Sequence, residues 1–306
     1  MAWSIACVVL VAVGCQRDVE RRAHAVRAAL PETPSDLDSA YPLSLRDDLG
    51  RTVTLQRRPQ RIVTLLPSHT ETVFALGAGR CVVGVDDFSD EPPEVATLPK
   101  LGGQFDTPLE LLHSLAPDLV LASEAASSVR ALEGSGLIVW AGSARRFDDV
   151  FRIIDVIGQL IGRRSEGARL VERMRAQIDG VAQEVGARER VRVYYELDPS
   201  PYTVGPSSFI GVMLAKAGGD NIVPTEFGEF PKINPEFVVS SDPSVILGAS
   251  LDEVSDRPGW ATITAVRAAR VYKLAPWEAA LVARPGPRLA AGLRALVRRL
   301  HPEAAL

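Results

Sequence analysis

A chain of 306 residues, 46% hydrophobic and 24% charged, has the balance of a globular protein and room for two α/β lobes of ordinary size. A net charge of -4 excludes the basic face that a nucleic-acid partner needs. Three cysteines exclude a disulfide scaffold. Cys7 and Cys15 fall near the N-terminus, and Cys81, ahead of the strand-like run Val82 to Val85, is expected to be a small buried residue.

Taken in chain order, residues 1–14 carry an apolar run from Ile5 to Val13, too short to span a bilayer and suited to the core of a signal peptide. The run ends in Ala12-Val13-Gly14-Cys15. Small residues before a cysteine resemble the acylation signal of bacterial lipoproteins, which makes Cys15 the expected lipid anchor. Residues 15–41 are polar, punctuated by Pro31 and Pro34, and read as a tether. Leu43 to Leu55 reads as a hairpin turning at Asp48 to Gly50.

The first lobe is expected over 42–145. Ile62 to Leu66 is a short apolar strand, and Pro67-Ser68-His69-Thr70-Glu71 turns into a helix, with Ser68 and Glu71 at capping-box spacing. That helix stops at Gly77-Ala78-Gly79. A strand to Val85, a helix bearing Glu110, and strands at Leu119 to Ala122 and Leu137 to Trp140 follow. Strands alternating with helices predict a mainly parallel sheet. Residues 146–189 are expected to form connecting helices: an apolar one over 147–161, then one capped by Ser165 and reaching Val185. The second would span roughly 32 Å at about 1.5 Å per residue, enough to cross between lobes. The second lobe, 190–306, restarts the order with a strand at Val191 to Leu197, a turn over Asp198 to Ser208, a helix from Phe209 to Ala217, a Glu236 helix, strands at Val245 and at Val271 to Leu274, and a last helix from about Pro287.

Two segments carry the duplication most clearly. Thr107-Pro108 and Asn234-Pro235 each open a short helix. Each helix places a glutamate, Glu110 or Glu236, seven residues before a second proline, and each segment closes on an apolar run. The glutamates lie 126 residues apart and occupy the same place in the two lobes. Both suit a helix N-terminus, and their matching predicts a two-point contact with a symmetric partner.

Ligands bind between such lobes, at loops that follow strand carboxyl ends. Phe88, Phe105, Tyr202, Phe227, Phe230 and Trp277 all fall in expected loops, which suits a broad, partly apolar ligand. His69 falls in a strand-to-helix turn from which it could reach a ligand. The four histidines have no metal-site spacing, so no resident metal or cofactor is expected. The adjacent Ser68 and His69 cannot form a nucleophile–base pair without distortion. No G-x-S-x-G elbow, P-loop or G-x-G-x-x-G supports the competing reading, a two-lobed α/β enzyme.

Several stretches together resemble one family. They are R-I-V-T-L-L-P-S-H-T-E-T-V-F-A-L-G-A-G with V-G-V-D-D-F-S-D-E-P-P, L-x-x-L-x-P-D-L-V-L, P-Y-T-V-G, A-G-G-D-N-I and R-P-G-P-R-L, at residues 61 to 289. They are similar to substrate-binding proteins of ABC importers, in the branch that takes up cobalamin, haem and iron–siderophore complexes; the similarity covers about 43 to 302. The resemblance implies a class III periplasmic binding protein fold: two Rossmann-like lobes with mainly parallel sheets, joined by a long backbone helix. It implies a monomeric, extracytoplasmic receptor held at the cell membrane, in the periplasm or on the outer face. Its partners would be a permease dimer with ATPase subunits and a small-molecule chelate, which is cargo rather than cofactor. Glu110 and Glu236 fall on the family's permease-docking positions. The look is nearest to its cobalamin receptors, through P-S-H-T-E, D-F-S-D-E-P-P and R-P-G-P-R, which makes Ser68, His69, Phe88, Phe105, Tyr202, Phe230, Trp277 and Arg284 the ligand-binding candidates. Were the ligand haem, Tyr202 or His69 would be its axial ligand. The tryptophans of the cobalamin receptors are absent at Ser123 and near Gln104-Phe105, and Cys81 has no disulfide partner.

Overall fold

The sequence alternates strand and helix signals, and a computed structural model describing residues 41–103, 106–186 and 188–303 resolves them into two sheets joined by helices. The hairpin comes first, β1 (Leu43–Arg46) against β2 (Thr52–Leu55), antiparallel with Leu43 opposite Leu55. Its turn is fixed by Asp47, whose carboxylate accepts from the N–H groups of Leu49 and Arg51. Gly50 supplies the left-handed residue there at φ 79°.

The first sheet contains β3 (Ile62–Thr64), β4 (Val82–Val85), β5 (Leu119–Ala122) and β6 (Val139–Ala141), all parallel in the order β4-β3-β5-β6. Its helices are α1 (Pro67–Ala75), α2 (Leu109–Ser114) and α3 (Val129–Gly134). Every residue of β3, β5 and β6 is buried, as parallel strands covered on both faces must be. Cys81 is buried and unpaired.

Two helices lead out of this lobe, α4 (Asp149–Leu160) and α5 (Arg164–Gly186). The 23-residue α5 starts one residue before Ser165, which therefore sits in its first turn rather than capping it. Its inner stripe is Leu170, Met174, Ile178, Val181 and Val185, all buried; Val171, expected in the stripe, is only half-buried. The two helices meet at glycines. A Cβ on Gly158 would stand 3.1 Å from the Arg163 carbonyl oxygen, and one on Gly167 would stand 3.7 Å from the Gly158 Cα. A Cβ at Gly158 would crowd the Arg163 carbonyl in the link between the helices, whereas one at Gly167 would make only ordinary contact.

The second sheet repeats the order of the first. It contains β7 (Val191–Asp198), β8 (Tyr202–Thr203), β9 (Gly219–Asn221), β10 (Val245–Leu247) and β11 (Val271–Tyr272), with β9-β7-β10-β11 parallel and β8 added antiparallel to the far end of β7. In both lobes the second strand flanks the first, which is followed across the sheet by the third and fourth. The helices are α6 (Phe209–Lys216), α7 (Pro235–Ser241), α8 (Leu251–Ser255), α9 (Thr264–Arg267), α10 (Pro276–Ala283) and α11 (Leu289–Leu300). The sequence reading contains neither β8 nor β9. β8 lies in a stretch that reads as a turn, and Gly-Asp-Asn of β9 has no strand propensity, so neighbouring strands alone impose it.

One apolar cluster runs through both lobes. It joins Val85 and Leu121 of the first sheet, Ile154 and Ile157 of α4, Met174 and Ile178 of α5, and Val193, Leu247 and Leu293 of the second lobe. Each such side chain contributes about 1.5–3 kcal/mol on burial. The connecting helices are therefore part of the core.

Candidate functional site

The loops at the carboxyl edge of the first sheet meet the turn between α10 and α11. Pro67 opens α1, Leu66 is its cap residue, and no side chain caps it. The capping box expected of Ser68 and Glu71 therefore does not form; both residues lie inside the helix. Glu71 instead turns its buried carboxylate across the seam between lobes, where Arg288 Nε donates to Oε2 at 2.9 Å and Arg288 Nη2 to Oε1 at 2.6 Å. Arg284 Nη1 reaches the same carboxylate at 3.3 Å and also Asp90, while Arg284 Nη2 donates to the Phe88 carbonyl at 3.2 Å. Arg288 lies 3.5 Å from Glu91. The hydrogen bond from Arg284 holds the Asp90 carboxyl below its usual pKa. Arg284, a candidate for the ligand, is therefore committed to an inter-lobe ion-pair cluster.

Ser68 is 5% exposed, and a Cβ on Gly286 would stand 3.5 Å from the Ser68 Cβ. It lines the seam between lobes. His69 is the second correction. It is fully buried, its ring 6.0 Å from that of Trp140, and neither ring nitrogen has a hydrogen-bond partner. Burial lowers its pKa to about 4, against the weaker pull of the Leu121 and Gly142 carbonyls and of Glu124 and Asp48. A side chain so enclosed cannot ligate a cleft-bound iron.

The loop after β4 holds Phe88 out. Asp86 accepts from the Phe88 N–H at 3.2 Å and from the Ser89 hydroxyl; Ser89 in turn pairs with Thr70, and Thr70 with Thr64, at 2.7 and 2.6 Å. Lys100 donates to the Ser89 carbonyl, and Asp87 accepts from Gly102 N–H at 3.0 Å. Burial raises the Asp86 pKa despite these bonds. The result is a stiff loop with a phenyl ring 67% exposed at its tip.

In the second lobe Trp277, Phe230 and Tyr202 are exposed at 58%, 55% and 45%. Trp277 stands in the first turn of α10, just after β11. Tyr202, on β8, bridges to Lys232, whose ammonium lies 6.0 Å from its ring; Thr203 and Gly205 N–H groups bond to the Pro231 and Glu229 carbonyls, so the Phe230 loop runs beside β8. Phe227 packs 5.7 Å from Phe237. Behind these loops a buried Glu196 on β7 takes a bidentate pair from Arg257, which also covers the Trp260 ring at 4.6 Å. Phe105 and Cys15 lie outside the described residues.

Glu110 and Glu236 are both exposed in the first turns of short helices. Their local settings differ. Asn234 caps α7, accepting from the Glu236 N–H at 3.0 Å, as expected. In α2 the cap residue is Pro108, without a side-chain cap, because Thr107 turns its hydroxyl to the Gly103 carbonyl at 3.0 Å. Thr107 and Glu110 have capping-box spacing but form no box, which leaves the Glu110 carboxylate free of that local role.

The periplasmic binding protein family matches over residues 62–276. The chain belongs to this family. Among its relatives is an ABC transporter substrate-binding lipoprotein of Bacillus subtilis, 32% identical over 281 residues, covering 86% of this chain and 87% of the relative. A cobalamin-binding protein of Halobacterium salinarum is 32% identical over 259 residues, covering 81% and 70%. The haem-binding protein RhuT of Roseiflexus, in apo form, superposes with a TM-score of 0.71 at 28% identity, over 80% of this chain and 99% of its own. The two-lobed class III architecture expected from sequence is therefore the fold of this periplasmic binding protein. The Glu71–Arg284–Arg288 cluster is not legible in the sequence. Its partners are up to 217 residues apart, and the only local hint was a Pro-Gly-Pro turn flanked by two arginines.

Proposed function

We propose that this protein is an extracytoplasmic, lipid-anchored receptor of an ABC importer that captures a corrinoid between its lobes and delivers it to a permease. The observation that carries the reading is that Phe88 of the first lobe and Tyr202, Phe230 and Trp277 of the second, large aromatics all, are left 45–67% exposed in a member of this family. A folded protein gains nothing from such exposure, whereas a broad apolar ring system would cover it. The Halobacterium relative named for cobalamin supports the corrinoid. Glu110 and Glu236, exposed and matched, are the proposed contacts with the two permease subunits, and Cys15 is the proposed anchor. One observation favours an iron chelate instead: Tyr202 keeps its hydroxyl-bearing ring exposed, as an axial ligand for haem requires, and the haem-binding Roseiflexus protein shares the fold.

Calorimetric titration with cyanocobalamin, haemin and a ferric siderophore separates these. Sub-micromolar cobalamin binding is the expected result. Binding of haemin or the siderophore alone moves the cargo to iron, and binding of none removes the chelate reading. Trp277→Ala should weaken the bound chelate by about 1–3 kcal/mol, the loss typical of an aromatic anchor. Unchanged affinity would take Trp277 out of the site.

A further inference from the structure

We propose that Arg284 is a positioning residue for Phe88, acting as one arm of a clasp that the second lobe places on the first. In the role it assigns to Phe88, this rests on the receptor reading above; in the clasp itself it does not. Phe88 has little of its own to hold it. Its ring is 67% exposed, and a Cβ added at Gly103 would stand 3.4 Å from the ring edge. The ring is therefore aimed through its backbone. Two holds act on that backbone. Within the first lobe, Asp86 accepts from the Phe88 N–H. From the second lobe, Arg284 Nη2 donates to the Phe88 carbonyl, while Nη1 of the same guanidinium grips Asp90 two residues on. One planar fork thus spans both ends of the tip 88–90, a geometry that lysine, a single point donor, cannot reproduce.

The fork is itself held from behind. Arg284 Nη1 also meets Glu71, and Arg288 locks Glu71 through two bonds of 2.9 and 2.6 Å. The two arginines belong to the turn Arg284-Pro285-Gly286-Pro287-Arg288, where two prolines fix φ and the Gly286 N–H closes on the Arg284 carbonyl at 3.0 Å. Gly286 seats this turn against Ser68 at the start of α1. The clasp therefore ties the Phe88 backbone to the second lobe as well as to its own. An aromatic fixed in advance loses less entropy on binding than one that must be ordered by the ligand.

The test uses the full-length protein with and without cyanocobalamin, haemin and a ferric siderophore. Hydrogen exchange of the segment 86–91 is read by mass spectrometry in the ligand-free state. Arg284→Gln should speed its exchange by about tenfold or more while the amides of β5 and β10 keep their protection. For whichever chelate the parent binds, Arg284→Gln and Phe88→Ala should each lower affinity, and the double variant should be no weaker than Phe88→Ala alone. Asp90→Asn removes one arm of the clasp at a residue whose side chain is 65% exposed, and it should give a smaller rise in exchange even if Arg284→Gln does not fold. Unchanged exchange of 86–91 in the folded variants overturns the clasp whatever the ligand. Additive losses of affinity overturn the link to Phe88. A parent that binds none of the three probes, with exchange still raised in the variants, sinks the receptor reading and the ligand role of Phe88 and supports the clasp.

Discussion

The two lobes share a strand order and differ in how they treat polar side chains near the carboxyl ends of their sheets. In the first lobe His69 is sealed in with both nitrogens unpartnered, beside Trp140. In the second lobe Glu196 is sealed in to the same degree but carries a bidentate arginine. The first lobe turns one of its buried acids, Glu71, to the arginines of the second. A duplicated scaffold thus repeats its backbone and not its polar chemistry. Strand order is fixed by where apolar runs fall, whereas each buried polar group is resolved by whichever partner is within reach.

The matched exposed glutamates give the largest expected effect. Glu110→Arg with Glu236→Arg should abolish uptake of the cargo in cells and leave its affinity in titration unchanged. Either single reversal should leave partial uptake if the two lobes act as separate contacts. Full transport by the double variant would remove the docking proposal.

Next is the pair that distinguishes the second lobe. Arg257→Ala leaves the Glu196 carboxylate buried without its partner, which costs about 3–5 kcal/mol of stability. A loss under about 1 kcal/mol in urea unfolding would mean that water reaches Glu196.

His69 supplies the contrasting term in the first lobe. Its folded pKa of about 4 lies below the ordinary value of 6.5, so the unfolded chain binds the extra proton first as pH falls. Stability from this group is therefore complete above about pH 6.5 and declines between about pH 6.5 and 4, by about 3 kcal/mol in all. His69→Leu should flatten the stability profile over that window and cost little at pH 7, since no hydrogen bond is lost. An unchanged slope in denaturation series from pH 7 to 4 would show that another group carries it.

The smallest effect sharpens the comparison of the two glutamate helices. Asn234→Ala removes a side-chain cap from α7 and should cost about 1 kcal/mol. Thr107→Val in the first lobe removes no cap and should cost less. Equal losses, measured by thermal unfolding, would erase the distinction between the helices.

The repeat of Thr107-Pro108 and Asn234-Pro235, the short apolar strands and the uninterrupted pattern up to Val185 made the two lobes and their connector legible in the sequence, because periodicity and proline stops are local signals. Phe88 and Phe230 stand exposed in loops as expected, whereas Tyr202 is exposed on β8 and Trp277 in the first turn of α10. Local signals also misled. Ser68–Glu71 and Thr107–Glu110 have capping-box spacing, yet Glu71 finds stronger partners across the seam, and Thr107 turns back to Gly103. A spacing rule sees only neighbours along the chain, and a charged group goes to the best partner in space. By itself, then, the sequence determined the α/β alternation, the duplication, the family and the exposed glutamates. Tertiary structure alone decided that His69 is sealed away, that β9 is a strand, and that Arg284 and Arg288 pair with acids of the first lobe. Each of these depends on residues brought together from far along the chain, and burial and ion pairing are set by that proximity.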